Sequence, residues 1–199
     1  MDSSVYNMHM QTNISQDRRN RPARERILLT AHDLFYQEGI RATGIDRIIA
    51  EASVTKVTFY RHFPSKNDLI YAFLEYRHQV WMTWFTDALK RHGGDLNALI
   101  STLAEWFQSG NFRGCAFINA AGELGGTLPG VLEITRHHKQ EMTTAISELL
   151  PHSILCEHYA QAIAMAVDGA IVRAQVDESS GAALNSLTLV LNLLEMSLK

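Results

Sequence analysis

An all-α protein is what this sequence predicts, and three observations carry the expectation. Apolar residues recur at helical spacing, as with Ile27, Ala31, Leu34 and Phe35 at i, i+4, i+7 and i+8. Four prolines and twelve glycines punctuate 199 residues that contain few β-branched runs. Those punctuators fall between the periodic segments, at Gly39, Gly93-Gly94, Gly110, Gly114, Gly125-Gly126, Pro151 and Gly181. With 46% apolar residues the chain can bury a substantial core as one or two domains.

Met1 to Asn20 is rich in Asn, Gln and Ser and lacks periodicity, so residues 1–20 read as a flexible arm ending in Arg18 and Arg19, with Arg21 just beyond. A basic arm suits a minor groove, and a solvated tail is the plainer alternative. The first helix starts after Pro22 and stops at Gly39. Ile45, Ile48 and Ile49 mark one buried face of a second, with Thr43 as N-cap and Asp46 as its reciprocal partner. Ser53 and Val54 make a turn. A third helix starts near Thr55 and buries Phe59 and Phe63, leaving Lys56, Val57, Tyr60 and Arg61 on the opposite side. From Ser65, capped by its own hydroxyl with Asp68 three residues on, Leu69, Ile70, Phe73 and Leu74 open a long helix whose apolar pattern persists to Leu89. Further helices are predicted at Asp95 to Gln108, Cys115 to Leu124, Pro129 to Leu150, Ser153 to Val176 and Ala182 to Leu198.

The segment from Ala42 to Leu69 therefore reads as a helix-turn-helix. The outward face of its second helix combines a cation, a methyl-bearing side chain and a phenol, a mixture suited to base edges and phosphates. Charge is distributed to match. Ten Lys/Arg face five Asp/Glu between Arg18 and Lys66, whereas eight face fourteen between Asn67 and Lys199. A basic segment on an acidic body fits a molecule of which one end approaches DNA.

These residues resemble the DNA-binding domain of the TetR/AcrR family of bacterial regulators over Arg24 to Leu74, most specifically in TFYRHFPSKNDL, Thr58 to Leu69. The resemblance implies an N-terminal three-helix DNA-binding domain, here 21–68, and a larger C-terminal helical domain for ligand binding and dimerisation, here 69–199. By motif position, Thr43, Tyr60, His62 and Lys66 are expected to hold phosphates, while Thr55, Lys56, Val57 and Arg61 lie nearer base edges. Thr58 is an additional candidate unless its hydroxyl bonds within the helix. Two residues depart from the common pattern. Ser53 stands where the turn usually has glycine, which a left-handed backbone tolerates at about 1 kcal/mol. Val57 stands where a small residue is frequent, and so alters what the recognition helix touches.

In the last predicted helix, Leu184, Leu187, Leu191, Leu194 and Leu198 form one stripe, and Leu189, Val190, Leu193 and Met196 widen it beyond one buried face. Two apolar faces imply two neighbours. The preceding helix offers Ala160, Ala164, Ala166, Gly169, Ala170 and Ala174 for close approach, so the last two helices are expected to build a homodimer across a two-fold axis, as the resemblance also implies. An intrachain core in a monomer is the alternative. A dimer would present two recognition helices to a pseudo-palindromic double-stranded operator.

A cavity for a small effector is expected among Trp81, Trp84, Phe85, Phe107, Phe112, Phe117 and Met142, with Trp106 beside them. Asn119, Glu123, His137 and His138 are the polar groups suited to orient a guest, and Cys115 opens the segment RGCAFINAAGEL, which resembles a pocket-lining stretch in one branch of AcrR-like regulators. His137 stands at i±4 from Glu133 and Glu141, beside His138, but without a Cys/His cluster the plainer reading is ordinary surface or pocket histidines, and no metal or cofactor is expected.

The predicted function is a ligand-responsive DNA-binding regulator, a repressor released from its operator by an apolar or amphipathic small molecule. The competing readings are a redox sensor acting through Cys115, with Arg113 as the cation nearest in sequence, and a helical enzyme or carrier. The chain has no GxSxG elbow, Walker loop or GxGxxG, which argues against the enzyme. Cys115 and Cys156 have no zinc-finger spacing, and the polar first twenty residues carry no apolar h-region, so a cytoplasmic protein without membrane contact is expected.

Overall fold

A computed structural model describes residues 20–151, 156–177 and 179–197. Among the described residues there are nine α-helices and no strand. They are α1 (Ala23–Glu38), α2 (Ile45–Glu51), α3 (Lys56–His62), α4 (Lys66–Arg91), α5 (Ala98–Phe107), α6 (Ala116–Leu124), α7 (Pro129–Ser147), α8 (Cys156–Val176) and α9 (Gly181–Ser197). The chain divides into two compact units, Met1–Phe73 and Leu74–Lys199, and the division falls within α4. The expected arm lies outside the described residues up to position 19, as do residues 153–155 of the predicted eighth helix and Leu198 of the last stripe.

The first unit is built on α1. Ile27, Ala31, Leu34 and Phe35 are buried, and Ile48, Phe59, Phe63, Leu69, Ile70 and Phe73 close the same core. The rings of Phe35 and Phe73 meet edge to face at 5.4 Å. Gly39 ends α1 with φ 93, a left-handed-side backbone in which a side chain would be strained. Ser65 Oγ accepts from the Asp68 amide at 3.2 Å and donates to its carboxylate at 2.6 Å, capping α4 as predicted.

The start of α2 differs from the prediction. Its N-cap is Gly44, with no side-chain cap, and Thr43 is fully buried, its hydroxyl donating to Gly39 O at 2.8 Å. A carbonyl left over at the end of α1 is the stronger claim on that hydroxyl, because a buried acceptor without a partner costs about 1–3 kcal/mol. Lys66 is also drawn inward: Nζ donates to Ile40 O at 2.7 Å and stands 5.9 Å from the Phe35 ring centroid. Together these two side chains tie down the α1–α2 connection.

In the second unit α7 packs on α6 and α8, and α9 on α8 and α5. The small residues Ala160, Ala164 and Ala170 of α8 are buried, together with Ile163, Val167 and Ile171 on the same helix and Leu187 and Leu191 of α9. Asp95 Oδ1 accepts from the Ala98 amide at 3.0 Å at the start of α5. Glu105 binds Arg91 at 3.0 Å, His92 at 2.9 Å and the Trp84 indole N–H at 3.3 Å. These partners, the Arg91 hydrogen bond first, hold its carboxyl down at about 2. A carboxyl depressed in the folded state contributes stability that is present above its unfolded value near 4.5 and is lost as the pH falls towards 2. We predict that Glu105→Gln lowers stability at pH 7 by roughly 1–2 kcal/mol, discounted for its partial exposure, and by almost nothing at pH 2. Urea unfolding at the two pH values checks this, and equal losses at both would contradict it.

Candidate nucleic-acid interface and effector core

The turn between α2 and α3 is held by backbone geometry and one arginine. Ser53 adopts φ 52, the left-handed conformation anticipated for a position that usually prefers glycine. The Arg26 guanidinium of α1 donates to Ala52 O and Ser53 O, both at 3.2 Å, and so satisfies the carbonyls that α2 leaves open. Arg47 pairs with Glu51 at 2.8 Å within α2 and with both carboxylate oxygens of Glu38 on α1. This pairing holds the Glu38 carboxyl below its usual range. Sequence reasoning did not single out Arg26 or Arg47. The partners that link them to another segment, Glu38, Ala52 and Ser53, are 9 to 27 residues away, beyond the reach of a periodicity argument.

Helix α3 begins at Thr55, whose hydroxyl accepts from the Thr58 amide at 3.1 Å. Thr58 Oγ1 lies 2.9 Å from Thr55 Oγ1, so the hydroxyl of Thr58 is engaged locally. Phe59 faces the core, while Lys56, Val57, Tyr60 and Arg61 all point outward, with Val57 78% exposed. An apolar side chain so exposed, on a helix seven residues long, gains nothing from the fold around it. Lys56 Nζ is 4.0 Å from Asp46, itself almost fully exposed, so that ammonium is not committed to the core. His62 is half-buried. Of the nine residues assigned to DNA, Thr43 is withdrawn from the phosphate set, because it is buried and bonded to Gly39 O.

The second unit gathers part of the expected effector set. A cavity of about 10 Å³ is lined by Trp81, Cys115, Phe117, His138 and Met142, with Trp106, Arg77, Ala116, Lys139 and Ile171. This is room for about one water. Trp81, one of the lining residues, has a buried Nε1 without a hydrogen-bond partner. His138 stacks on Phe117 with centroids 3.6 Å apart and 15° between planes. Burial, and then the nearby charge of Lys139, push His138 down to about 2, so its imidazole is neutral.

The remaining candidates stand elsewhere. Phe85 stacks on Trp81 at 4.6 Å, and Phe107 and Phe112 pack against Trp106 at 6.0 and 5.2 Å, all outside the cavity lining. Trp84 is engaged with Glu105. Asn119 is a structural brace: its amide donates to Arg113 O at 2.9 Å, and its Oδ1 accepts from Gln175 at 3.3 Å. Glu123 and His137 do not line the cavity. Gly114, with φ 77, lies so close to Gln175 that a Cβ would collide with it. The cation at Cys115 is Lys139, with Nζ 3.5 Å from Sγ, and Arg113 instead donates to Phe112 O. Lys139 is 24 residues from Cys115, so chain proximity pointed to the wrong residue.

One further cluster was legible only in part: the spacing of His137 and Glu141 was seen in the sequence, and His78 was not. His78 Nε2 of α4 lies 3.3 Å from Glu141 Oε2, and His137 Nε2 lies 3.2 Å from Glu141 Oε1, both glutamate oxygens being on α7. His78 Nδ1 and His138 Nδ1 are 3.1 Å apart.

A compact three-helix unit with an exposed polar third helix, joined in one chain to a larger helical unit, defines a helix-turn-helix DNA-binding regulator. Comparison with known proteins gives the family. Residues 27–73 match the model of bacterial regulatory proteins of the tetR family. A TetR-family transcriptional regulator from Streptomyces coelicolor, SCO4454, is 32% identical with a TM-score of 0.75, over 85% of this chain and 94% of that one. The chain belongs to the TetR family of transcriptional regulators. The reduced form of NemR from Escherichia coli shares the fold, with a TM-score of 0.71 at 21% identity over 83% of this chain and 95% of that one. In sequence, the HTH-type transcriptional repressor NemR of E. coli K12 is 28% identical over 106 residues, 51% of this chain, which spans about half the length, 53%, of that relative.

We predict that Arg26→Ala costs roughly 1.5–3 kcal/mol, the range for hydrogen bonds from a charged donor, by releasing the α2–α3 turn. Hydrogen exchange of the Ala52 to Thr55 amides should accelerate far more than that of α8. Uniform acceleration across the chain would contradict a local role.

Proposed function

We propose that this chain is an effector-responsive repressor that binds a pseudo-palindromic operator as a homodimer. The observation that carries the reading is the outward face of α3, where Lys56, Val57, Tyr60 and Arg61 stand exposed beside a turn rigidified by Arg26. Lys56, Val57, Thr55 and Arg61 read base edges, and Tyr60 and His62 hold phosphates. Thr58 serves the helix start. Lys66 supports the domain first, through Ile40 O.

The dimer reading is supported by where apolar surface remains exposed. Met165 and Val176 of α8 and Leu189, Leu193 and Met196 of α9 are 59–74% exposed. Exposed apolar side chains of this size on two neighbouring helices fit a second copy arranged about a two-fold axis. Leu191 is buried within the chain, so a charge there would break the protomer, and Leu193 is the informative position. Two recognition helices then meet successive major-groove faces about 34–36 Å apart.

The effector in this reading is a small, largely apolar molecule with an acceptor for Trp81 Nε1. Space for one water means that Phe117, His138 or Met142 must move to admit it, and that displacement is what distinguishes the two states. A hundredfold loss of operator affinity requires about 2.7 kcal/mol of differential binding. A second reading is oxidation of Cys115, whose Sγ lies 3.5 Å from Lys139 Nζ; that ammonium is paired with Asp168 at 2.5 Å and the thiol is buried, so this reading needs the core to open before the thiol meets peroxide, forming a sulfenic acid and releasing water. No helix among the described residues is long and apolar enough to cross a membrane, in keeping with a DNA-binding role in the cytoplasm.

Three outcomes are expected. Arg61→Ala and Lys56→Ala change base preference at defined operator positions by about 1–3 kcal/mol, read by binding to a library of half-sites, and an unchanged preference would remove them from the base-reading set. Leu193→Asp yields monomers in sedimentation and abolishes tight operator binding. Operator DNA weakens effector binding by the same factor as effector weakens operator binding, whereas peroxide releases DNA and Cys115→Ser does not respond if the redox reading holds.

A further inference from the structure

His78, His137 and Glu141 bring three metal-binding side chains from two helices to one point. One nitrogen of each imidazole and one carboxylate oxygen all lie within 4.8 Å of one another. The separations accommodate a coordination sphere. Ligands at about 2.0–2.1 Å from a tetrahedral zinc ion stand about 3.3 Å from each other. The observed distances are 3.3 Å from His78 Nε2 and 3.2 Å from His137 Nε2 to the glutamate. The carboxylate is thus shared between two imidazoles at the spacing of common ligands.

The support around the site is also that of a metal centre. His78 is buried, and its Nδ1 is 3.1 Å from Nδ1 of His138. In the tautomer in which His78 donates through Nδ1, its Nε2 presents a lone pair towards Glu141. In that tautomer the lone pair and the carboxylate can share a cation, whereas in the other Nε2–H donates to Glu141 and no cation is needed. A ligating histidine commonly donates its other ring N–H, as Nδ1 does in the first tautomer, which fixes the ring orientation. His138 is in turn clamped by Phe117. On the other side His137 and Glu141 are partly exposed, which gives an ion a route from solvent and leaves a coordination position for water or an oxygen donor.

We propose that His78, His137 and Glu141 bind a divalent transition-metal ion of the zinc class, with His138 orienting His78 from behind. The bound ion joins α4 to α7 next to the effector core, because His138 is at once the partner of His78 and part of the cavity wall.

The test uses the untagged full chain and two probes, Zn²⁺ by calorimetry and Co²⁺ by visible absorption, both without DNA so that the result is independent of operator binding. One ion per chain is expected, with the strong d–d bands of tetrahedral Co²⁺ and no thiolate charge-transfer band. His137→Ala and Glu141→Gln, which alter partly exposed side chains and should keep the helical circular dichroism, are expected to weaken Zn²⁺ binding at least tenfold and to remove the Co²⁺ bands. Glu133→Gln, one turn away on α7, should leave binding unchanged. The proposal is overturned if no ion binds at micromolar concentration, if both site variants bind as the parent does, or if Co²⁺ shows thiolate ligation.

Discussion

The DNA-binding unit depends on how the chain is held as it leaves α2. A left-handed residue at Ser53 reverses the backbone and would leave the carbonyls of Ala52 and Ser53 without helical partners. Arg26 donates to both, from a helix whose own buried face is packed against the same core. The direction in which α3 projects follows from that grip. Only with the turn fixed are Lys56, Val57, Tyr60 and Arg61 presented together, and a recognition helix of seven residues has too little length to correct a misaligned start.

The second unit is governed by a different constraint, the burial of an imidazole. His138 is neutral, stacked on Phe117, in contact with Trp81 at 5.0 Å and linked to His78. An aromatic core would be simpler without it, and its presence places a polar group that must be satisfied among rings that otherwise ask for nothing. The unpartnered Trp81 N–H nearby has the same character. Both groups belong to residues that line the small cavity.

Apolar surface completes the picture. The residues of α8 and α9 that face inward are small or aliphatic and closely packed, while Met165, Val176, Leu189, Leu193 and Met196 remain outside. The widened stripe recognised in the last helix corresponds to this second face, with Leu187 and Leu191 serving the first.

Local and periodic information was enough for the helices, for the start of α3 near Thr55, for the cap at Ser65 and for the exposed side of α3, because each depends on residues within one or two turns, while the left-handed Ser53 was anticipated from the family resemblance. Of the residues expected around an effector, Trp81, Cys115, Phe117, His138 and Met142 share a small cavity, whereas Phe85, Phe107 and Phe112 are equally apolar and lie outside its lining. Hydrophobicity reports burial and not which side of a ring is open. What tertiary structure alone decided are the contacts that span many residues. Thr43 turned from a surface position to the Gly39 carbonyl, and Lys139 rather than Arg113 came to Cys115. His78 arrived beside His137 and Glu141 from another helix. The sequence by itself determined which segments are helical and which faces are apolar, since these follow from 3.6-residue periodicity and capping. Which polar side chains meet depended on how those faces pack, and a one-dimensional pattern carries no distance between residues sixty positions apart.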